Sequence, residues 1–117
     1  MRIESASWLW DARQACAATS SFVEGSTFEE YSQDLRTRSA VERQLEILGE
    51  SLNRVRQHDA ETAALIPELV RIVGMRNLLA HEYGVVDDRL VWDAAVNEVP
   101  RLRGILDSLL AEQAPPV

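Results

Sequence analysis

Between Gly74 and Gly84 the chain reads Gly-Met-Arg-Asn-Leu-Leu-Ala-His-Glu-Tyr-Gly, and no other stretch concentrates as many reactive side chains. The hydrophobic periodicity around it is helical, and on a helix successive residues turn by ~100°. Asn77 and His81 then lie within ~40° of one another, and Arg76 and Tyr83 within ~20°. Arg76 and His81 point ~140° apart, so they converge only if the long arginine reaches round or a second surface closes over them. The chemistry this set suits is phosphodiester cleavage. An arginine offers a planar, permanently charged fork that matches phosphate oxygens and the charge of a phosphorane-like transition state. A histidine can take or give a proton near neutral pH, and the negative end of a helix favours its protonated form. Asn77 can hold the imidazole or a ligand oxygen; Tyr83 can donate a hydrogen bond or accept a modification. Attack by the internal 2′-hydroxyl of RNA needs an acid, a base and charge stabilisation, but no metal.

Each of these residues also has an ordinary structural role open to it. An Arg and a His on a charged helix commonly form a surface pair, Asn77 can bond a neighbouring helix, and Tyr83 before Gly84 can anchor a helix end with its hydroxyl in water. His58, beside Asp59 in a polar stretch, reads as a solvated loop residue. Two histidines so far apart make a poor metal site, and no metal is expected. Cys16 lies on an apolar helix face and reads as a small core residue. Glu46 and Glu50, one turn apart, have the spacing of a metal-binding or acid–base pair, yet Arg43 and Arg54 equally make them a solvated, ion-paired stripe. Trp8, Trp10 and Trp92 could stack nucleobases, but their helical spacing favours core or interface positions.

The elements that must position this chemistry are all helical. No alternating β-branched run and no Asn-Gly or Asp-Gly hairpin signal occurs. A first helix is expected over about Ile3–Val23, with Leu9, Ala12, Cys16 and Val23 on one face and Gly25 as its stop. Ser26, with Glu29 three residues later, has capping-box spacing for a short turn that carries Phe28 and Tyr31 between the long helices. A second long helix spans about Leu35–Val55, where Val41, Leu45, Leu48, Leu52 and Val55 form a continuous apolar seam. Asp59 can cap a short helix running to Leu65. Pro67 fits the first turn of a third helix with Leu69, Ile72, Val73, Leu78 and Leu79 on its buried side and Gly84 at its end. A fourth helix begins at Asp87 or Asp88 and runs to about Ala111, with Trp92, Ala95, Val99, Leu102, Leu106 and Leu109 on one side and a kink at Pro100. The expected fold is an all-α, up-and-down antiparallel bundle of four main helices plus short helical turns. It forms one domain over residues 1–117, with 112–117 a frayed tail.

The chain has 117 residues, 46% hydrophobic and 26% charged, enough for one ordinary domain with a core of its own. Its single cysteine rules out intramolecular disulfides and Cys-rich zinc sites. No apolar run approaches the ~20 residues that span a bilayer, and no signal-peptide pattern opens the chain, so a cytoplasmic location is expected. Twelve basic residues against nineteen acidic give a net charge of −7, which excludes a protein that coats nucleic acid through a broad basic surface. It leaves room for a local site where a few cations face one phosphate, and Arg36, Arg38 and Arg43 are available to such a site. All twelve basic residues are arginines.

The stretch Arg76-Asn77-Leu78-Leu79-Ala80-His81-Glu82-Tyr83 resembles the Arg-x4-His-x-Tyr motif of the HepT-like toxins, a branch of the HEPN superfamily. The likeness covers nearly the whole chain: Phe22–Gly25 and Thr27–Tyr31 are similar to that family's first helix end and following turn, Val41–Glu50 to its second helix, and Gly74–Asn77 and Val91–Asp93 follow in the same order. The resemblance implies a HEPN bundle that forms a homodimer, with the motifs of both copies lining one cleft. It implies a metal-independent ribonuclease toxin with no cofactor, RNA as substrate, and Arg76 and His81 as the catalytic pair, supported by Asn77. It also implies an MntA-like minimal nucleotidyltransferase antitoxin as partner, which silences the toxin by placing AMP on Tyr83. The alternative is a non-catalytic HEPN module whose cleft only binds a nucleotide or a protein partner.

Overall fold

A computed structural model describes residues 1–81 and 86–112, with the side chains of Ala80 and His81 outside the description. Tyr83, Gly84 and the tail beyond Glu112 therefore lie outside the described residues. Every regular element among the described residues is helical: α1 Ile3–Val23, α2 Phe28–Gln33, α3 Leu35–His58, α4 Ala60–Ala63, α5 Leu69–His81, α6 Asp88–Asp93 and α7 Val99–Glu112. None of them is long and apolar enough to cross a membrane.

The seam on α3 organises the bundle. Val41, Leu45, Leu48, Leu52 and Val55 are all at most 1% exposed, and burying a side chain of this size contributes roughly 1.5–3 kcal/mol. On one side α3 packs against α1, which itself packs against α7; on the other side α3 packs against α5. The pairings run antiparallel: Trp8 meets His58 across α1 and α3, and Arg13 bonds Asp107 at 2.6 Å across α1 and α7. Cys16 is fully buried in this core, and loss of solvation pushes its thiol up to about 12, so it stays protonated and inert.

The helix ends show where local chemistry overrode the expected boundaries. Gly25 takes φ +75°, the left-handed turn that stops α1. Ser26 then returns its N–H to the Val23 carbonyl at 3.1 Å, which commits it to the end of α1 instead of the start of α2. The capping box therefore falls one residue later. Thr27 Oγ1 accepts the Glu30 N–H at 3.2 Å, and Glu30 Oε1 accepts the Thr27 N–H at 2.9 Å. The turn it starts does fill the expected gap: Tyr31 is 1% exposed and packs with Phe28 against Trp92. Helix α3 continues one turn past Val55 to His58. His58 is thus exposed, as expected, but it is the last residue of a helix and not of a loop, and its ring lies against Trp8 with centroids 5.3 Å apart and planes inclined at 35°. Helix α4 stops at Ala63, short of Leu65. Pro67 stands two residues before α5, in the turn that leads into it, because the first helical bond is Ile72 N–H to the Glu68 carbonyl at 3.0 Å.

Pro100 acts through the turn before it. Ala94–Glu98 form a wide, π-helical turn in which the Val99 N–H reaches the Ala94 carbonyl, so the missing donor of Pro100 is absorbed by a local widening. Asp87 Oδ1 caps α6 by accepting from Arg89 and Leu90 N–H at 3.0 and 3.2 Å. Arg38 of α3 holds the same corner through Asp88 at 3.4 Å.

Asp59 ties the opposite end together. Buried between α3 and α4, its carboxylate accepts the Arg2 N–H at 2.9 Å, the Ser5 hydroxyl at 2.7 Å, and the Thr62 N–H and hydroxyl at 3.2 and 2.8 Å. These donors, the Arg2 N–H first, hold its carboxyl well below the usual carboxylate range. A depressed folded value means that the stabilisation is complete above the unfolded value near ~4 and is lost as the pH falls through the lower, folded value. Asp59→Ala should therefore cost about 2–4 kcal/mol at pH 7 through the lost cap and orphaned donors. Thermal melts should show that penalty shrinking below about pH 4; a penalty independent of pH would reject this role.

Candidate active site

Helix α5 carries Arg76 and Asn77, and its apolar stripe decides where Arg76 faces. Leu69, Ile72, Val73 and Met75 are at most 5% exposed. At ~100° per residue, Arg76 lies only ~40° from Ile72, on the same stripe, while Leu78 lies ~120° away. Leu78 is accordingly 49% exposed and does not belong to the buried side, whereas Leu79 packs partly on the core. The arginine occupies a position that would otherwise hold a core residue.

A glycine on α3 makes room for it. A Cβ on Gly49 would overlap Arg76 Cβ, lie 2.8 Å from its Cγ and come within 3.3 Å of the Ile72 carbonyl oxygen. Only a residue without a side chain lets the two helices approach this closely. The guanidinium emerges beyond the contact and meets Glu50, the next residue of α3, with Nη2 2.5 Å from Oε2. Nη1 donates to Asn77 Oδ1 at 3.0 Å. Two of the five N–H groups of an arginine are thereby used, holding the fork from two directions. Asn77 bonds its neighbour Arg76, not an adjacent helix. Glu50 also pairs with Arg54 at 3.4 Å, and Glu46 with Arg43 at 3.4 Å. The two glutamates are thus committed to arginines, and among the described residues no group of three His, Cys, Asp or Glu side chains is placed to hold a metal ion.

Arg76 stands at the edge of an open cleft of about 480 Å³ between α1, α3 and α5. Trp8, Asp11, Arg43, Glu46, Glu50 and Arg54 share its walls. Three arginines face three carboxylates there, so the cleft is formally neutral in a chain of net charge −7. Arg38, engaged by Asp88, is spent elsewhere. Helix α5 carries the backbone through His81, one and a half turns beyond Arg76; the His81 side chain and Tyr83 lie outside the described residues. Beyond Leu78, a shallow apolar groove of about 280 Å³ is lined by Met75, Leu79, Val86, Leu90 and Val91.

Family comparison gives the class of protein that carries this cleft. The model of the family described as Ribonuclease HepT-like matches residues 12–109, the greater part of the chain. The chain belongs to the ribonuclease HepT-like family. Its relatives agree. A candidate RNase from Caldanaerobacter subterraneus subsp. tengcongensis is 31% identical over 100 residues, 86% of this chain and 88% of the relative. The "Probable ribonuclease HepT" of Thermococcus cleftensis is 32% identical over 104 residues, 87% and 92% of the two chains. A candidate RNase from Methanocaldococcus jannaschii is 27% identical over 105 residues, 90% and 86%. No solved structure matches the chain significantly. The helical bundle and the ribonuclease class are those expected from the motif, and the whole Arg76–Tyr83 stretch lies inside the matched span of this HepT-like chain.

Sequence reasoning missed the pairing of Glu50 with Arg76, because nothing in local spacing links residues 26 apart. The available signal was Gly49 itself, a helix-interior glycine on the α3 seam, which costs ~1 kcal/mol unless something packs against it. Gly49→Ala should destabilise the protein by about 1–3 kcal/mol through overpacking and displace Arg76, lowering RNA cleavage. Gly104→Ala on α7, where an added Cβ meets nothing within 4 Å, should leave cleavage unchanged and raise stability slightly. Denaturant melts and cleavage assays on the pair check this; equal behaviour of the two variants would contradict the close contact.

Proposed function

We propose that this chain is a metal-independent endoribonuclease, the toxin of a toxin–antitoxin pair, acting as a homodimer on cytoplasmic RNA. The observation that carries this reading is a guanidinium fixed by Glu50 and Asn77 at the edge of an open cleft, on the helix that also carries His81, in a chain of a ribonuclease family. Its remaining N–H groups suit the non-bridging oxygens of a scissile phosphate. The 2′-oxygen attacks phosphorus, a P–O2′ bond forms as the P–O5′ bond breaks, and a 2′,3′-cyclic phosphate and a 5′-hydroxyl result. One proton leaves the 2′-hydroxyl and one reaches the 5′-oxygen. His81 performs one transfer and the His81 of a second copy the other, which answers the ~140° between Arg76 and His81 on a single helix. Exposed Leu78 and Leu90 beside the motif helix give this end an apolar face of the kind a second copy covers.

Control falls to Tyr83. An MntA-like nucleotidyltransferase would transfer AMP from ATP to its phenolic oxygen with release of pyrophosphate, and the added bulk and negative charge beside the motif would repel RNA phosphates.

Protein shown by intact mass to carry no AMP should cleave RNA in EDTA, and His81→Ala should slow cleavage by about 100- to 10,000-fold while remaining dimeric. Equal cleavage by both would reject the catalytic role. Retention of RNA or ATP without turnover would favour the non-catalytic binding module. Co-expression with the nucleotidyltransferase should add the mass of AMP, and Tyr83→Phe should prevent it; addition at another residue would reject Tyr83 as acceptor.

A further inference from the structure

Of the three tryptophans, two are accounted for by ordinary packing. Trp92 sits with Tyr31 and Phe28 between α2 and α6, and Trp10, 51% exposed, faces outward with Arg13 over its ring. Trp8 is different. It is half-buried in the wall of the cleft that Arg76 borders, and among the described residues it is the only aromatic one lining that cleft. His58 braces the indole from one side, with ring centroids 5.3 Å apart and planes inclined at 35°. In the same walls stand Arg54 and Arg43, whose side chains are 53% and 69% exposed. Eleven residues separate them along α3, or ~16 Å at 1.5 Å per residue. They are too far apart to grip one phosphate and are spaced for different phosphates of one strand. Arg54 is linked to Arg76 through their shared partner Glu50.

We propose that this cleft is a nucleotide-binding subsite for single-stranded RNA flanking the scissile bond: a base stacks on Trp8, a phosphate beside it pairs with Arg54, and a further phosphate pairs with Arg43. An aromatic platform flanked by arginines is the arrangement that holds single strands without reading their sequence through a broad basic surface. It also reconciles a chain of net charge −7 with an RNA substrate. Asp11, Glu46 and Glu50 in the same walls cancel the long-range attraction, so stacking must carry much of the affinity and the salt dependence must be shallow. Two phosphate contacts correspond to a slope of log K against log salt of about −1.4. The subsite rests on the ribonuclease reading for its substrate but not for its test.

The probe is a fluorescein-labelled, 2′-O-methylated 12-nucleotide single strand, which lacks the attacking hydroxyl and reports binding alone. Trp8→Ala should weaken binding about 5- to 100-fold, Trp8→Phe should stay within about threefold of wild type, and Trp10→Ala should bind as wild type does. Arg54→Ala, a surface change that leaves the core intact, should weaken binding and make the salt slope shallower by about 0.7. Wild-type binding that is undetectable, or undiminished by both Trp8→Ala and Arg54→Ala, would overturn the subsite. Wild type that binds this strand, with binding weakened by Trp8→Ala and Arg54→Ala, but leaves the unmodified RNA uncut would fail the ribonuclease reading and uphold the subsite. Cutting that persists while Trp8→Ala and Arg54→Ala bind normally would do the reverse.

Discussion

The close contact between α3 and α5 at Gly49 is the constraint on which the site depends. An arginine on the apolar stripe of a helix would ordinarily bury its charge at prohibitive cost. Here the missing side chain of Gly49 lets the first carbons of Arg76 lie against the α3 backbone, while the guanidinium passes out to Glu50 and the cleft. The aliphatic part packs and the charged end stays in water, side-chain exposure being 28%. Arg76 is thus anchored where α3 and α5 meet, its first carbons against Gly49.

The Glu50 pair serves orientation more than stability. At a half-exposed position an ion pair contributes little to folding, about 0–1 kcal/mol. A fork held by a carboxylate on one nitrogen and an amide oxygen on the other has lost most of its rotamer freedom before substrate arrives, so little remains to be lost on binding. Glu50 also balances the charge of Arg76 at the cleft, and the three-to-three match of cations and carboxylates keeps the walls neutral overall. Selectivity for a strand then comes from geometry and stacking, in keeping with an acidic protein.

Much of this was legible in the residues. The 41/45/48/52/55 seam identified α3, and its five members are each at most 1% exposed. The motif, with blocks Val41–Glu50 and Val91–Asp93 in order, pointed to the family that residues 12–109 match. Errors arose where two local signals competed. Ser26/Glu29 and Thr27/Glu30 both have capping-box spacing, and only the demand of α1 on Ser26 decides between them. Leu78 reads as core by type, yet the phase of the stripe through Leu69, Ile72 and Val73 turns it outward. The contacts of Arg76 with Glu50 and of Trp8 with the cleft are tertiary, and no periodicity encodes them.

The proposed role of Arg76 is to stabilise a phosphorane formed by internal attack. Its most direct test is the chemistry of the cut ends, read by mass spectrometry of RNA fragments produced in EDTA by unmodified wild type and by Arg76→Ala. The wild type should give 2′,3′-cyclic phosphate and 5′-hydroxyl ends, and the variant should lose them. Fragments ending in 3′-hydroxyl and 5′-phosphate, or an Arg76→Ala protein that cuts at the wild-type rate, would contradict it.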